Sequence, residues 1–263
     1  MLRTAAIAAV VFSISYLQTH PLNLGGKIGE FAGLKTEETA SADSTPSASV
    51  SSDESEFRIP DYTGEQAVII NDNTAYFTSE DLSLPDGTFN MSPLGDHGRA
   101  GASEAVISKA DMPTEPRSGS LSGFTPSGWK QAYYPDMDLA HLMERCHLVG
   151  FQFKGTSSND IRNLITGTHY FNVESMLTYE NKTAEYIRSH PDDAVVYRVT
   201  PYFGDNELVA RGVLMEAQSV KTENYKLCVW CWNVQPGIVI DYKTGESHKG
   251  DTVAEWTSPY GTN

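Results

Sequence analysis

Arg145-Cys146-His147-Leu148-Val149-Gly150, then Asn163-Leu164-Ile165-Thr166-Gly167-Thr168, then Asn172, then Met176-Leu177-Thr178-Tyr179-Glu180 form the stretch on which the reading of this chain turns. Within 36 residues it holds an arginine, a histidine, two asparagines and a glutamate. A neutral imidazole takes a proton from water near neutral pH. A guanidinium holds charge developing on a phosphate. An amide oxygen and a carboxylate are hard ligands of the kind Mg²⁺ prefers. Taken together, these side chains suit phosphodiester hydrolysis.

Outward from that stretch the chain is acidic. Its 263 residues carry a net charge of −15, and 40% are hydrophobic, enough for a real core in one large domain with appendages. Residues 19–57 contribute −5, so the body from 58 onward still carries −11. That balance argues against tight storage on nucleic acid, where affinity comes from many phosphate contacts. It leaves room for an enzyme that needs only a local arginine and a metal.

The N-terminus carries an apolar run from Leu2 to Leu17 behind Arg3, read as a secretory segment or a short membrane anchor over 1–18. Residues 19–57 are rich in Ser, Thr and Glu and read as a disordered linker, which leaves a domain over 58–263. The expected location is outside the cell, secreted or held on the outer face of the membrane. Three cysteines are too few and too odd in number for a disulfide framework. Cys228 and Cys231 fall in a strand-like run, where positions three apart point to opposite faces, so two packed thiols are expected.

The periodicities predict an α+β fold: a central, largely antiparallel sheet with helices packed on it. Strands are expected at Ala67–Ile70, Glu104–Ser108, Leu148–Phe153, Val195–Tyr202, Leu208–Ser219, Leu227–Val234 and Ile238–Tyr242, the last four as a meander. Asn163–Phe171 reads as a loop returning the chain to His147. Met176, Leu177, Ala184 and Ile187 recur at helical spacing up to Pro191.

The central stretch resembles the DNA/RNA non-specific endonuclease family, the ββα-metal nucleases, and within it a secreted bacterial branch. Arg145-Cys146-His147 matches the family's short Arg-x-His signature. Asn172 follows His147 by 25 residues, Glu180 follows Asn172 by eight, and Asn163 precedes Asn172 by nine. The similarity extends from about Asp61 to Ile240, through Met112–Arg117, Pro126-Ser127-Gly128-Trp129, Tyr197–Pro201 and Asn233–Gly237. Two departures stand out: Glu144 where many members have Asp, and Cys146 where Gly is common. The resemblance implies a ββα-metal motif, one Mg²⁺ with Mn²⁺ as the alternative, DNA and RNA as substrates, and 5′-phosphate products.

It also implies roles. His147 is the general base. Asn172 is the metal ligand; an Asn ahead of a helix is otherwise simply an N-cap. Glu180 lies about 12 Å along the helix axis from Asn172, so it is assigned to a metal-bound water. Arg145, two residues before His147 on an extended chain, shares its face and is assigned to phosphate or product. Asn163 is assigned to orienting the site. Arg117 and His169 are the substrate-binding candidates. The competing classes are a non-catalytic nucleic-acid-binding module tethered at the envelope and a cysteine enzyme using Cys146. No protein partner is inferable.

Overall fold

The computed structural model describes residues 57–260. The expected leader at 1–18, and the linker as far as residue 56, lie outside the described residues. In chain order the strands and α-helices are β1 (Ala67–Ile69), β2 (Phe89–Met91), β3 (Ser103–Ser108), β4 (Met143–His147), α1 (Phe151–Lys154), β5 (Leu164–Thr168), α2 (Leu177–Ser189), β6 (Ala194–Tyr202), β7 (Gly212–Ser219), β8 (Lys226–Trp232), β9 (Ile238–Ile240), β10 (Ser247–Lys249) and α3 (Thr252–Glu255).

Six strands form one antiparallel sheet in the order β1-β8-β7-β6-β3-β2. Its central strands are rich in Val and aromatic residues and are buried on both faces, as β-branched and ring side chains favour. On one face Val195, Tyr197 and Val199 of β6, Val213 and Met215 of β7, and Val229 and Cys231 of β8 pack with Cys146, Phe171, Ala184 and Ile187. This layer joins the sheet to β4, β5 and α2. On the other face Trp230 and Trp232 of β8 pack with Ile59, Tyr62, Tyr242 and Trp256. Arg198 of β6 anchors that outer side by pairing with Glu216 Oε2 at 2.9 Å and Asp81 Oδ2 at 3.2 Å.

The thiols behave as expected. All three cysteines are free and buried, with Cys228 and Cys231 in the cores on opposite faces. The helix over Leu177–Ser189 also matches its predicted period and ends at His190.

Several expectations need correction. The strand expected at Leu148–Phe153 is absent: β4 stops at His147 and the chain turns into α1. The reason is local. Val149 N–H donates to Asn163 Oδ1 (3.0 Å) and Val149 C=O accepts from Asn163 Nδ2 (2.9 Å), so neither group is available to a ladder. The loop expected at Asn163–Phe171 instead contains β5, paired with β4 in the register Arg145↔Thr166 and His147↔Leu164. β7 begins at Gly212 rather than Leu208, because the N–H groups of Leu208 and Val209 both donate to Tyr242 C=O. β9 leaves the meander and pairs with β10. β2 was not anticipated.

The β4–β5–α2 unit is bolted to the sheet through Asn233. Its Nδ2 donates to Thr166 C=O (3.0 Å) and Ala210 C=O (2.9 Å), and its Oδ1 accepts from Thr168 N–H (3.0 Å). Three satisfied bonds from a fully buried amide fix the site's scaffold against the main sheet.

Candidate active site and metal centre

β4 delivers His147 at its C-terminal end, almost wholly buried. Its Nε2 lies 2.9 Å from Asn159 Oδ1. An amide oxygen only accepts, so Nε2 carries the hydrogen and Nδ1 is the basic nitrogen. Burial lowers the His147 pKa to about 4; the Asn159 bond raises it and the positive charge of Arg117 lowers it, both by less than burial does. The ring is therefore neutral at pH 7, which a general base requires.

Glu144, three residues before His147 on β4, gathers a second group. Its Oε1 lies 2.5 Å from His169 Nδ1, and its Oε2 accepts a hydrogen bond from Asn172 Nδ2. The carboxylate raises the His169 pKa. Asn172 sits in a wide π-type turn, Phe171–Met176, that leads into α2. Such turns recur at functional sites because they re-aim one side chain out of the helical register. With Nδ2 turned to Glu144, the amide oxygen of Asn172 is the atom left to act as a ligand.

Glu180, on α2, is packed against Gly150, and its Oε2 accepts from Gln152 Nε2 at 3.3 Å. A Cβ at Gly150 would fall 2.8 Å from that oxygen, so any larger residue there would push the Glu180 carboxylate out of this position. Burial raises the Glu180 pKa to about 7, while the Gln152 bond and Arg117 act in the opposite sense. Glu180 lies within the field of the same Arg117 that acts on His147.

Arg117 is on an exposed loop beside Phe151, 5.6 Å from its ring centroid. Arg145 points elsewhere than at this group: its Nε donates to Phe124 C=O (2.6 Å) and its guanidinium lies 4.0 Å from the centroid of the Trp129 ring. Asn163 is fully buried, bonded to Val149 and, through Nδ2, to Ser158 C=O at 2.9 Å. It therefore braces the residues just after His147 and just before Asn159.

Cys146 faces the core beneath Gly167, and burial pushes its thiol well above the ordinary range. A nucleophile needs the opposite shift.

Two residues of this arrangement were missed as site candidates. Glu144 registers in sequence only as a departure from Asp, although a carboxylate is retained. Asn159 carries no signal, since it lies in a polar Thr-Ser-Ser-Asn turn of ordinary loop composition.

The donor set tests the fit of a metal. Among the described residues no three His, Cys, Asp or Glu side chains converge to hold an ion unaided. The Asn172 amide oxygen, with the Glu144 carboxylate bonded to the same amide, is instead an all-oxygen set of few direct ligands, which fits a cation that keeps most of its water, as Mg²⁺ does. The residues present fit such an ion.

An antiparallel sheet carrying an inserted hairpin and helix, with His at the end of the hairpin strand and Asn at the helix entry, is the architecture of the ββα-metal nucleases. Residues 93–221 match the family model described as DNA/RNA non-specific endonuclease, so the chain carries a domain of that kind, a nucleic-acid hydrolase. In structure it is similar to NucA from Streptococcus agalactiae with magnesium ion bound, at 21% identity over 68% of this chain and 85% of that one, with a TM-score of 0.59. The form of NucA with no metal bound is similar at a TM-score of 0.57, with the same identity and coverage. The Sda1 nuclease with bound zinc ion is 25% identical over 62% of this chain and 81% of that one, with a TM-score of 0.53. The likeness to NucA establishes the fold.

Proposed function

We propose that this chain is an exported, metal-dependent endonuclease that cleaves DNA and RNA with little sequence preference. The observation that carries the mechanism is His147, held neutral by burial with Nε2 committed to Asn159. Nδ1 takes a proton from water as the oxygen attacks phosphorus, the P–O3′ bond breaks in line, and the departing O3′ takes up a proton from solvent. Products then carry 5′-phosphate and 3′-hydroxyl ends, as the family resemblance implies. Arg117 binds the phosphate and balances its growing charge. His169, whose pKa the Glu144 carboxylate raises, supports the substrate strand.

Asn172 Oδ1 is the proposed direct ligand for one Mg²⁺, with Glu144 and Glu180 holding its waters. Bound there, the ion would supply positive charge to the phosphate and the departing oxygen. Mn²⁺ is the alternative ion. Export rests on the apolar N-terminal run at 1–18, cleaved or kept as an anchor, with 19–57 as linker and 58–263 as the catalytic domain.

The test is plasmid nicking by the full chain, with Mg²⁺, with Mn²⁺ and with EDTA. Metal-dependent conversion of supercoiled to open-circular plasmid is the expected result. A mobility shift without nicking would replace this reading with the binding module.

A further inference from the structure

Arg145 and Thr166 are cross-strand partners in the β4–β5 hairpin. Both grip the same loop. Arg145 Nε donates to Phe124 C=O at 2.6 Å, and Thr166 Oγ1 donates to Ser127 C=O at 2.8 Å. The Arg145 guanidinium also lies over Trp129, at 4.0 Å from its centroid, a distance at which a cation and a ring face attract. The far side of the loop is pinned as well. Gly128 has a φ of +68°, and a Cβ there would lie 2.4 Å from Val209 Cγ2, so the loop lies flat on the segment leading into β7.

The upstream part of this loop reaches the site. Arg117 lies beside Phe151, four residues past His147. A Cβ built on Gly119 would fall 3.1 Å from Asn159 Nδ2, the amide that holds His147. One end of the loop is thus bracketed by Arg145 and Thr166, and the other lies beside Phe151 and the Asn159 amide that bonds the imidazole.

We propose that Arg145 is a positioning residue: with Thr166 it fixes the 113–129 loop so that Arg117 presents the phosphate-facing guanidinium over His147. This rests on the nuclease reading and departs from the phosphate role that the Arg-x-His resemblance suggests. A guanidinium spread over an indole face and donating to a backbone carbonyl satisfies part of its fork inside the protein. Its planar face cannot be reproduced by lysine.

The experiment is a substitution cycle on plasmid nicking by the full chain at saturating Mg²⁺, using R117A, R145Q and the pair, with near-UV circular dichroism on each. Misplacing a substrate-holding group costs on the order of 10²-fold. R145Q should therefore lower kcat/KM to about the level of R117A and alter the tryptophan near-UV signal, which R117A leaves unchanged. The pair should fall within about threefold of R117A alone, because both changes remove one function. Thr166→Val supplies a milder loosening of the same bracket should R145Q fail to fold. It should lower kcat/KM in the wild-type background and add little to R117A. Losses that multiply in the double variants would place Arg145 on substrate by itself and overturn the proposal, as would an R145Q spectrum identical to wild type. A wild-type chain that does not nick with any metal would remove the nuclease reading instead.

Discussion

His147 Nε2 meets Asn159 Oδ1 at 2.9 Å across a loop whose two ends Asn163 ties together. That bond decides which nitrogen of the ring is free. His147→Ala should keep the fold and lower turnover by roughly 10²–10⁴, the weight of a general base. His147→Gly should regain part of its rate with added imidazole. Wild-type-like cleavage by either variant would take His147 out of the mechanism.

The pH profile is a sharper check on the same residue. With its pKa lowered to about 4, His147 is unprotonated across the neutral range. The acid limb of kcat/KM should therefore centre near pH 4 rather than near the ordinary histidine value. Arg117 lowers the pKa and the Asn159 bond raises it, so R117A should move the limb to higher pH and Asn159→Ala to lower pH. A limb centred near 6.5 in the wild type, unmoved by R117A, would contradict the burial argument.

Metal titration separates Asn172 from the two glutamates. Asn172→Ala removes the proposed direct ligand and should stay inactive however much Mg²⁺ is added. Glu180→Gln and Glu144→Gln keep a hydrogen-bonding group and lose a charge, a change that costs about 10–100-fold in metal affinity or activity. Both should need more Mg²⁺ for half-maximal rate and approach a substantial fraction of the wild-type rate at saturation. Recovery of Asn172→Ala alongside a dead Glu180→Gln would reverse the two roles.

Glu180 also leaves a mark on stability. Its pKa is raised from 4.5 to about 7, so between those values the folded chain holds a proton that the unfolded chain has released. This contribution is fully present below about pH 4.5 and is lost as pH rises through 7. His147 has the opposite sign: its stability contribution is lost as pH falls from 6.5 toward 4. In metal-free protein, Glu180→Gln should therefore raise the melting temperature more at pH 8 than at pH 5. A gain equal at both pH values would mean that Glu180 ionises normally.

The N-terminal boundary is firmer than composition suggests. Phe57 packs on Tyr202 and Trp230, with ring centroids 4.9 and 5.4 Å away, and Tyr62 packs on Trp232 and Trp256. A fragment starting at Ser55 should keep full specific activity. One starting at Gly64 also loses buried Ile59, and each large apolar side chain withdrawn from a core costs roughly 1.5–3 kcal/mol. It should melt well below the longer fragment; equal melting temperatures would show that these contacts carry no weight.

What could be read from the sequence was what neighbours in the chain decide. The helix over Leu177–Ser189 and the opposed thiols of Cys228 and Cys231 follow from period alone, and the spaced His147, Asn163, Asn172 and Glu180 from resemblance. The strand Leu164–Thr168 was hidden because its ladder depends on Met143–His147, some twenty residues away, and Gly167 weakens its local pattern. The turn after His147 was hidden because it depends on the Asn163 amide. Alternation along β4 says which face Arg145 occupies; it cannot say that Phe124 and Trp129 lie there.

The three buried thiols make the molecule its own opening gauge. Cys228 lies in one core and Cys231 in the other, while Cys146 faces the core from the hairpin that carries His147. A thiol reagent can reach each one only when the layer above it parts. Labelling Cys146 times the separation of the catalytic unit from the sheet, and labelling Cys228 times the loss of the outer layer. In an oxidising milieu the same arrangement sets a deadline: the chain must close its layers before its sulfurs meet an oxidant, and once closed it is protected without a single cross-link.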